Sequence, residues 1–244
     1  MPTARALLSE SLRFCRQHAI SVLCVVLVIY IPIELILSAL PFDDEQFLKS
    51  TAREFRLQRT LEALFGVLCS MALAHLVLAD HEKRILTTRD SLWLAASRWR
   101  ASVGTQFLLG LLYLGALLAL VLPLVFVGIA TVFTVPLVAL RDHSGVRAIK
   151  ASWALVRGRW WAVFRLVALL VLAELGLAAL VIAPFLFLPE HYLLDVASSL
   201  LLDIVAALFI VATVKAMLHL EAHPVAEARS AAPALEPMPS IRPV

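Results

Sequence analysis

Between Arg100 and Arg141 the chain carries no charged residue, and the stretch 103–140 alone is 38 residues of almost unbroken apolar sequence. A straight helix of that length, rising about 1.5 Å per residue, would reach nearly twice the roughly 30 Å hydrocarbon core of a bilayer. A single crossing is therefore excluded. A water-soluble fold is excluded too, because 61% of the 244 residues are hydrophobic and only 16% charged, with a mean hydropathy of +0.91. Lipid must act as solvent for this chain. The apolar runs lack the alternation of barrel strands, so the spans are helices, which satisfy their own backbone inside lipid. The expected fold is an all-α, polytopic membrane helix bundle.

The length rule of about 20 apolar residues per crossing gives six spans, at about Ile20–Leu40, Leu61–Ala79, Val103–Leu122, Leu124–Leu140, Val163–Leu188 and Ser198–Leu218. A tight hairpin near Pro123 and Gly128 divides the long run into the third and fourth. The first run is read as a retained span and not a cleaved leader, since it is long, contains Pro32 and Glu34 and offers no small-x-small cleavage site. Residues 1–220 form one membrane domain on this reading, and the proline- and alanine-rich segment 221–244 is expected to be a disordered cytoplasmic tail.

Of the 21 basic residues, 17 fall on one side of these spans. The other four, Lys49, Arg53, Arg56 and Arg59, share the first outer loop with Asp43, Asp44, Glu45 and Glu54, and the loop around Glu190 and His191 has none. The positive-inside rule then predicts both termini in the cytoplasm, and a multi-pass protein of the bacterial inner membrane.

A second regularity is internal. Arg89–Pro123 reappears 61 residues later as Lys150–Pro184, with 11 of 35 aligned positions identical. Five of the matches are leucines, which any apolar segment supplies; Ser91/Ser152, Arg98/Arg159, Trp99/Trp160, Ala101/Ala162, Gly115/Gly176 and Pro123/Pro184 carry the signal. A weaker third copy begins at Ser11, with Phe14 and His18 at the spacing of Leu94 and Arg98. Units 5–80, 81–142 and 143–220 follow, each a basic amphipathic helix feeding a membrane hairpin.

In the third unit Val146, Ile149, Trp153, Val156 and Trp160 form an apolar stripe flanked by Arg147, Lys150 and Arg157. Leu92, Ala95, Ala96 and Trp99 make a narrower stripe, and Leu8, Leu12, Cys15 and Ala19 a third. Such helices can lie in the interface, tryptophan at headgroup depth and arginine reaching phosphate. Arg98, Trp99, Arg147, Lys150, Trp153, Arg157, Arg159, Trp160 and Trp161 are accordingly the candidate contacts to lipid headgroups, anionic ones above all. The bland alternative is that these residues only anchor the span ends.

Pro136 and Val138 closing a span, Asp142, Ala148 to Ser152, Leu155, then Gly158, Arg159, Trp160 and Trp161 opening the next resemble the membrane domain fused to some bacterial glycerophosphodiester phosphodiesterases, and related YciC-type inner-membrane families. Leu122-Pro123-Leu124 departs from the Pro-Gly expected at the hairpin. Those fused enzymes carry catalysis in a separate soluble barrel, for which this chain has no room, so the resemblance implies the membrane half without the enzyme.

The spans hold no HExxH, GxSxG, P-loop or GxGxxG pattern. Cys15, Cys24 and Cys69 lack CxxC spacing and read as small packing residues. His75 and Asp80 lie about 140° apart on a helix, so a metal site is not expected there. Carboxylates at lipid depth need a reason. Glu34 and Asp203 sit toward span ends, whereas Glu174 is central, and its counterpart Tyr113, with Thr131 or Thr134, is the expected partner. The leading expectation is a non-catalytic bundle that scaffolds, regulates or organises membrane partners or lipids, with no cofactor. A membrane-protein partner or a second copy of the chain fits it, and nucleic acid does not. The alternative is a small-solute or lipid transporter with Glu174 as its central polar site. An intramembrane enzyme would need a nucleophile and base that the spans do not supply.

Overall fold

A computed structural model describes residues 4–38, 57, 60–119, 121–185 and 192–223. The first outer loop, the loop around Glu190 and His191, and the proposed tail from residue 224 onward lie outside the described residues. Within them the chain is helical and contains no strand. It is an all-α membrane helix bundle, with six helices long and apolar enough to cross a bilayer.

The elements are α1 (Ala4–Gln17), α2 (Ala19–Ser38), a π-helical turn Glu62–Gly66 leading into α3 (Val67–His81), α4 (Thr88–Ser97), α5 (Trp99–Ala119), α6 (Val121–Thr131), α7 (Thr134–Leu140), α8 (Val146–Val156), α9 (Trp160–Ile182) and α10 (Tyr192–Ala222). Each expected span finds its helix. The apolar segments are Ala19–Ile36, Ala63–His81, Trp99–Leu118, Pro123–Leu140, Trp160–Ile182 and Val196–Ala222. The second and fourth are the inner ones, with 56% of their residues buried, against 22% for the third and 11% for the fifth.

Among the described residues α5 ends at Ala119 and α6 begins at Val121, so Pro123 and Gly128, where the sequence suggested a hairpin, both lie within α6. Pro123 lies in the first turn of α6, where its missing N–H would have no helical partner in any case, and Gly128 is simply helical. A break that the sequence reading did not foresee separates α6 from α7 at Val132 and Phe133. Pro136 accounts for it: proline offers no N–H to the carbonyl four residues back and crowds it, so the helix restarts at Thr134 with Pro136 in its first turn.

Three amphipathic helices precede the odd-numbered spans, and each packs on an even-numbered span. Helix α4 lies on α3, α8 on α6 and α7, and α1 on α10. Among the described helices the first therefore closes against the last, through Lys215 Nζ donating to Glu10 O at 3.2 Å and standing 5.4 Å over the Phe14 ring. In each case the buried face contains a serine: Leu7, Ser11 and Phe14 in α1, Ser91 and Ala95 in α4, Ala148, Ser152 and Val156 in α8. Those faces are rotated from the apolar stripes read in the sequence. Leu12 is 56% exposed, Ala96 is exposed, and Val146 and Trp153 face outward as well. In lipid, apolar bulk gains nothing by turning inward, and small or hydroxyl side chains that let helices approach closely take the packed positions.

Local signals set the helix ends. Thr87 caps α4, accepting from Asp90 N at 3.2 Å and donating to Asp90 Oδ2 at 2.6 Å. Gly145 and Gly158, which bracket α8, have φ of +56° and +79°, conformations in which a side chain is strained.

Candidate functional site at the span junctions

The residues between each amphipathic helix and its span gather polar contacts that tie the helix ends together. Arg98 donates through Nη1 to Arg141 O at 2.7 Å and Val138 O at 3.3 Å, and its Nη2 stands 3.8 Å from Asp142 Oδ1. It thereby covers the carbonyl end of α7, where a cation meets the negative pole of the helix. Arg159, 61 positions on, does the same for α10, donating to His223 O at 2.6 Å and to Leu220 O at 3.2 Å. His18 takes the corresponding place in the first junction, with Nε2 3.4 Å from Asp80 Oδ1 near the end of α3. Arg141 completes the cluster through a two-point contact with Glu221, 2.7 Å and 3.4 Å, joining the ends of α7 and α10. Burial lowers the pKa of Arg159 from its usual value, yet an arginine stays charged throughout.

The tryptophans after the arginines are equally engaged. Trp99 donates its indole N–H to Leu64 O at 2.7 Å and stacks on Phe65, ring centres 6.0 Å apart. Trp160 stacks on Phe126 at 5.5 Å, again 61 positions on, but its buried indole N–H meets no acceptor among the described residues. Trp153 meets the same Phe126 edge-on at 5.4 Å. Helix α8 therefore runs back along α6. Ser152 locks it there: its hydroxyl donates to Ala130 O at 2.8 Å and accepts from Phe133 N at 3.2 Å, meeting backbone groups at the α6–α7 break.

The nine candidate headgroup contacts thus divide in two. Arg98, Trp99, Arg159 and Trp160 bind within the protein. Arg147, Lys150 and Arg157 are exposed, as is Trp161 at 69%, with Trp153 at 40%. Trp93, at 75% exposed the most open of these tryptophans, belongs with them and was passed over in the sequence because it lies off the α4 stripe.

Glu174 and Tyr113 are not brought together. Tyr113 pairs with Thr131, hydroxyl to hydroxyl at 2.8 Å, and among the described residues no hydrogen bond joins either to Glu174. Glu174 is partly exposed on α9, between open Leu172 and Leu175. Thr134 is buried with its hydroxyl unpartnered, as is the Nε2 of His75. No group of three His, Cys, Asp or Glu among the described residues is placed to hold a metal ion. His219 and His223, one helical turn apart at the end of α10, were missed as site residues; only their i, i+4 spacing beside a basic end could have flagged them.

Against known proteins, one family model matches, a domain of unknown function (DUF7847), over residues 91–226. That is more than half of the chain, and the chain belongs to this family. No curated protein and no solved structure matches it.

Proposed function

We propose that this DUF7847 protein is a non-catalytic bundle of the bacterial inner membrane, both termini cytoplasmic, that organises lipids and a membrane-protein partner, another copy of itself included. The outer face of α9 carries this reading. Only 11% of that span is buried, and mid-membrane Glu174 has no bond to another described residue on a surface shared with Leu172 and Leu175. An intramembrane carboxylate left without a partner is costly, by a few kcal/mol in insertion scales. A neighbouring helix that offers it a donor would recover that cost, so the surface suits association. The resemblance to the membrane half of the fused phosphodiesterases supports the same reading, as does the threefold recurrence of helix, junction and hairpin.

A conduction path would instead be expected to line the protein's interior, and Glu174 does not. The transport alternative therefore needs the carboxylate to line a passage formed with another subunit. Native mass spectrometry of full-length protein in membrane-extracted nanodiscs separates the two. Glu174→Gln, which keeps hydrogen-bonding capacity, should preserve a stoichiometric complex that Glu174→Leu loses. A deletion phenotype abolished by Glu174→Gln, with the complex and membrane abundance unchanged, would sink the organising role in favour of a proton- or cation-coupled one.

A further inference from the structure

We propose that the open cavity bordered by α1, the start of α9 and the end of α10 binds the phosphate head of an anionic phospholipid. The cavity has a volume of about 380 Å³, within the range of ligand pockets and far above the roughly 30 Å³ of one water. Among the described residues its polar lining is Arg159, His219 and His223, with no carboxylate; the remaining walls are apolar, with Leu7, Leu166 and Leu220 among them. One cationic, donor-rich side on an apolar chamber fits an amphiphile with a negative head better than it fits a free ion or a neutral solute. The inference rests on the lipid half of the proposed function and is independent of Glu174.

Arg159 supplies the sharper argument. Its two terminal nitrogens go to carbonyls, while its buried Nε–H meets no acceptor among the described residues. A buried charged donor without a partner is rare in a finished structure. Arg98, its counterpart, differs in having Asp142 at 3.8 Å, whereas no ion pair joins Arg159 to a described acid. A phosphate held in the cavity would supply the guanidinium with the missing counter-charge, in the charge-assisted form for which guanidinium is suited.

The histidines leave room for this. His223 Nδ1 lies 3.2 Å from His219 O, which leaves its Nε2 unassigned, and His219 Nε2 stands 3.6 Å from Glu10 Oε2, a contact too long to be a hydrogen bond. The position is also right for a lipid. Arg159 directly precedes the first residue of a span, the depth at which headgroup phosphates meet basic side chains, and Leu166 continues the apolar wall from the cavity into that span.

The test is stepwise delipidation of the full-length protein in detergent, followed by native mass spectrometry with added phosphatidylglycerol or phosphatidylcholine. One phosphatidylglycerol should persist per chain, with at least tenfold preference over phosphatidylcholine. Ala216→Leu, which adds three carbons to a residue lining the cavity, should reduce that retention at least tenfold while keeping every Arg159 bond. Should the buried Ala216→Leu variant fold poorly by circular dichroism, His223→Gln at the exposed end should still lower the preference severalfold. Equal retention of the two lipids by the unaltered protein would overturn the proposal. So would undiminished phosphatidylglycerol in a folded Ala216→Leu protein, or displacement of the lipid by millimolar inorganic phosphate alone, which would make the site one for a free anion.

Discussion

Removing the Ser152 hydroxyl should destabilise the protein far more than removing that of Ser91, although both serines are fully buried and occupy equivalent positions 61 residues apart. Ser152 bridges two elements, accepting from Phe133 N–H and donating to Ala130 C=O at the break that Pro136 imposes. Ser91 only returns to Thr88 O within its own helix, at 2.8 Å. In Ser152→Ala, a buried donor and a buried acceptor lose their partner together. An orphaned buried group costs about 1–3 kcal/mol, though hydrogen bonds between helices in bilayers average about 0.6 and reach about 1.7 kcal/mol. With two bonds at stake, and the backbone N–H the harder to re-satisfy, the expected loss is about 2 kcal/mol. Ser91→Ala should cost about 0.5 kcal/mol or less, since its hydroxyl only supplements a helical carbonyl. SDS titration of purified protein in mixed micelles, followed by far-ultraviolet circular dichroism, reads both unfolding free energies. If the two variants agree within about 0.5 kcal/mol, the idea that Ser152 mends the break is wrong, whatever the absolute values.

The paired tryptophans give a second asymmetry: Trp99→Phe forfeits the bond to Leu64 O and should lower stability by about 1 kcal/mol, while Trp160→Phe removes an unpartnered buried N–H and should be neutral or stabilising, as thermal melts would show. Arg141 and Glu221, each about one-quarter exposed, should couple by about 1–2 kcal/mol in a double-mutant cycle with Gln at both positions, between the values for surface and buried pairs. That coupling should shrink as salt is raised, and a salt-independent value would argue against a charge contact. Burial pushes the Cys15 thiol up from its ordinary value, with Lys215 opposing more weakly. Since the thiolate is the nucleophile, maleimide labelling of Cys15 in a Cys24→Ser, Cys69→Ser background should be slower near pH 8 than that of a free thiol, and should accelerate into more alkaline solution. Labelling as fast as glutathione would show the thiol to be open.

The spans were legible because length and apolarity are one-dimensional quantities: all six expected crossings overlap the helices Ala19–Ser38 through Tyr192–Ala222. The repeat singled out Arg98, Trp99, Arg159 and Trp160, but a sequence does not show which distant carbonyl an arginine will find. The carbonyl ends of α7 and α10 take hydrogen bonds from Arg98 and Arg159, contacts that spacing alone does not reveal. Rotation of the amphipathic helices was misread for a related reason. A stripe such as Leu8, Leu12 and Cys15 marks the inward face in water, whereas here the serine face packs and Leu12 turns out. The break after Thr131 was written in Pro136, yet a proline five residues downstream signals equally a kink, a first turn or a buried hinge. Tyr113 lay at the right repeat position for Glu174 and found Thr131 on the adjoining helix instead, which spacing alone could not decide.

Closure of α1 onto α10 has a consequence for how the molecule is made. Glu10 and Lys215 are separated by 205 positions, and at about 5–20 residues per second a ribosome needs about 10–40 s to cover that distance. For that interval the side of α1 bearing Leu7 and Phe14 lacks its main partner, α10, while the later spans are being threaded into the bilayer. The N-terminal helix must wait on the membrane surface or on an insertion factor until the final crossing arrives. Docking of α1 therefore waits for α10, and truncation before Lys215 should strand α1 and leave the bundle open.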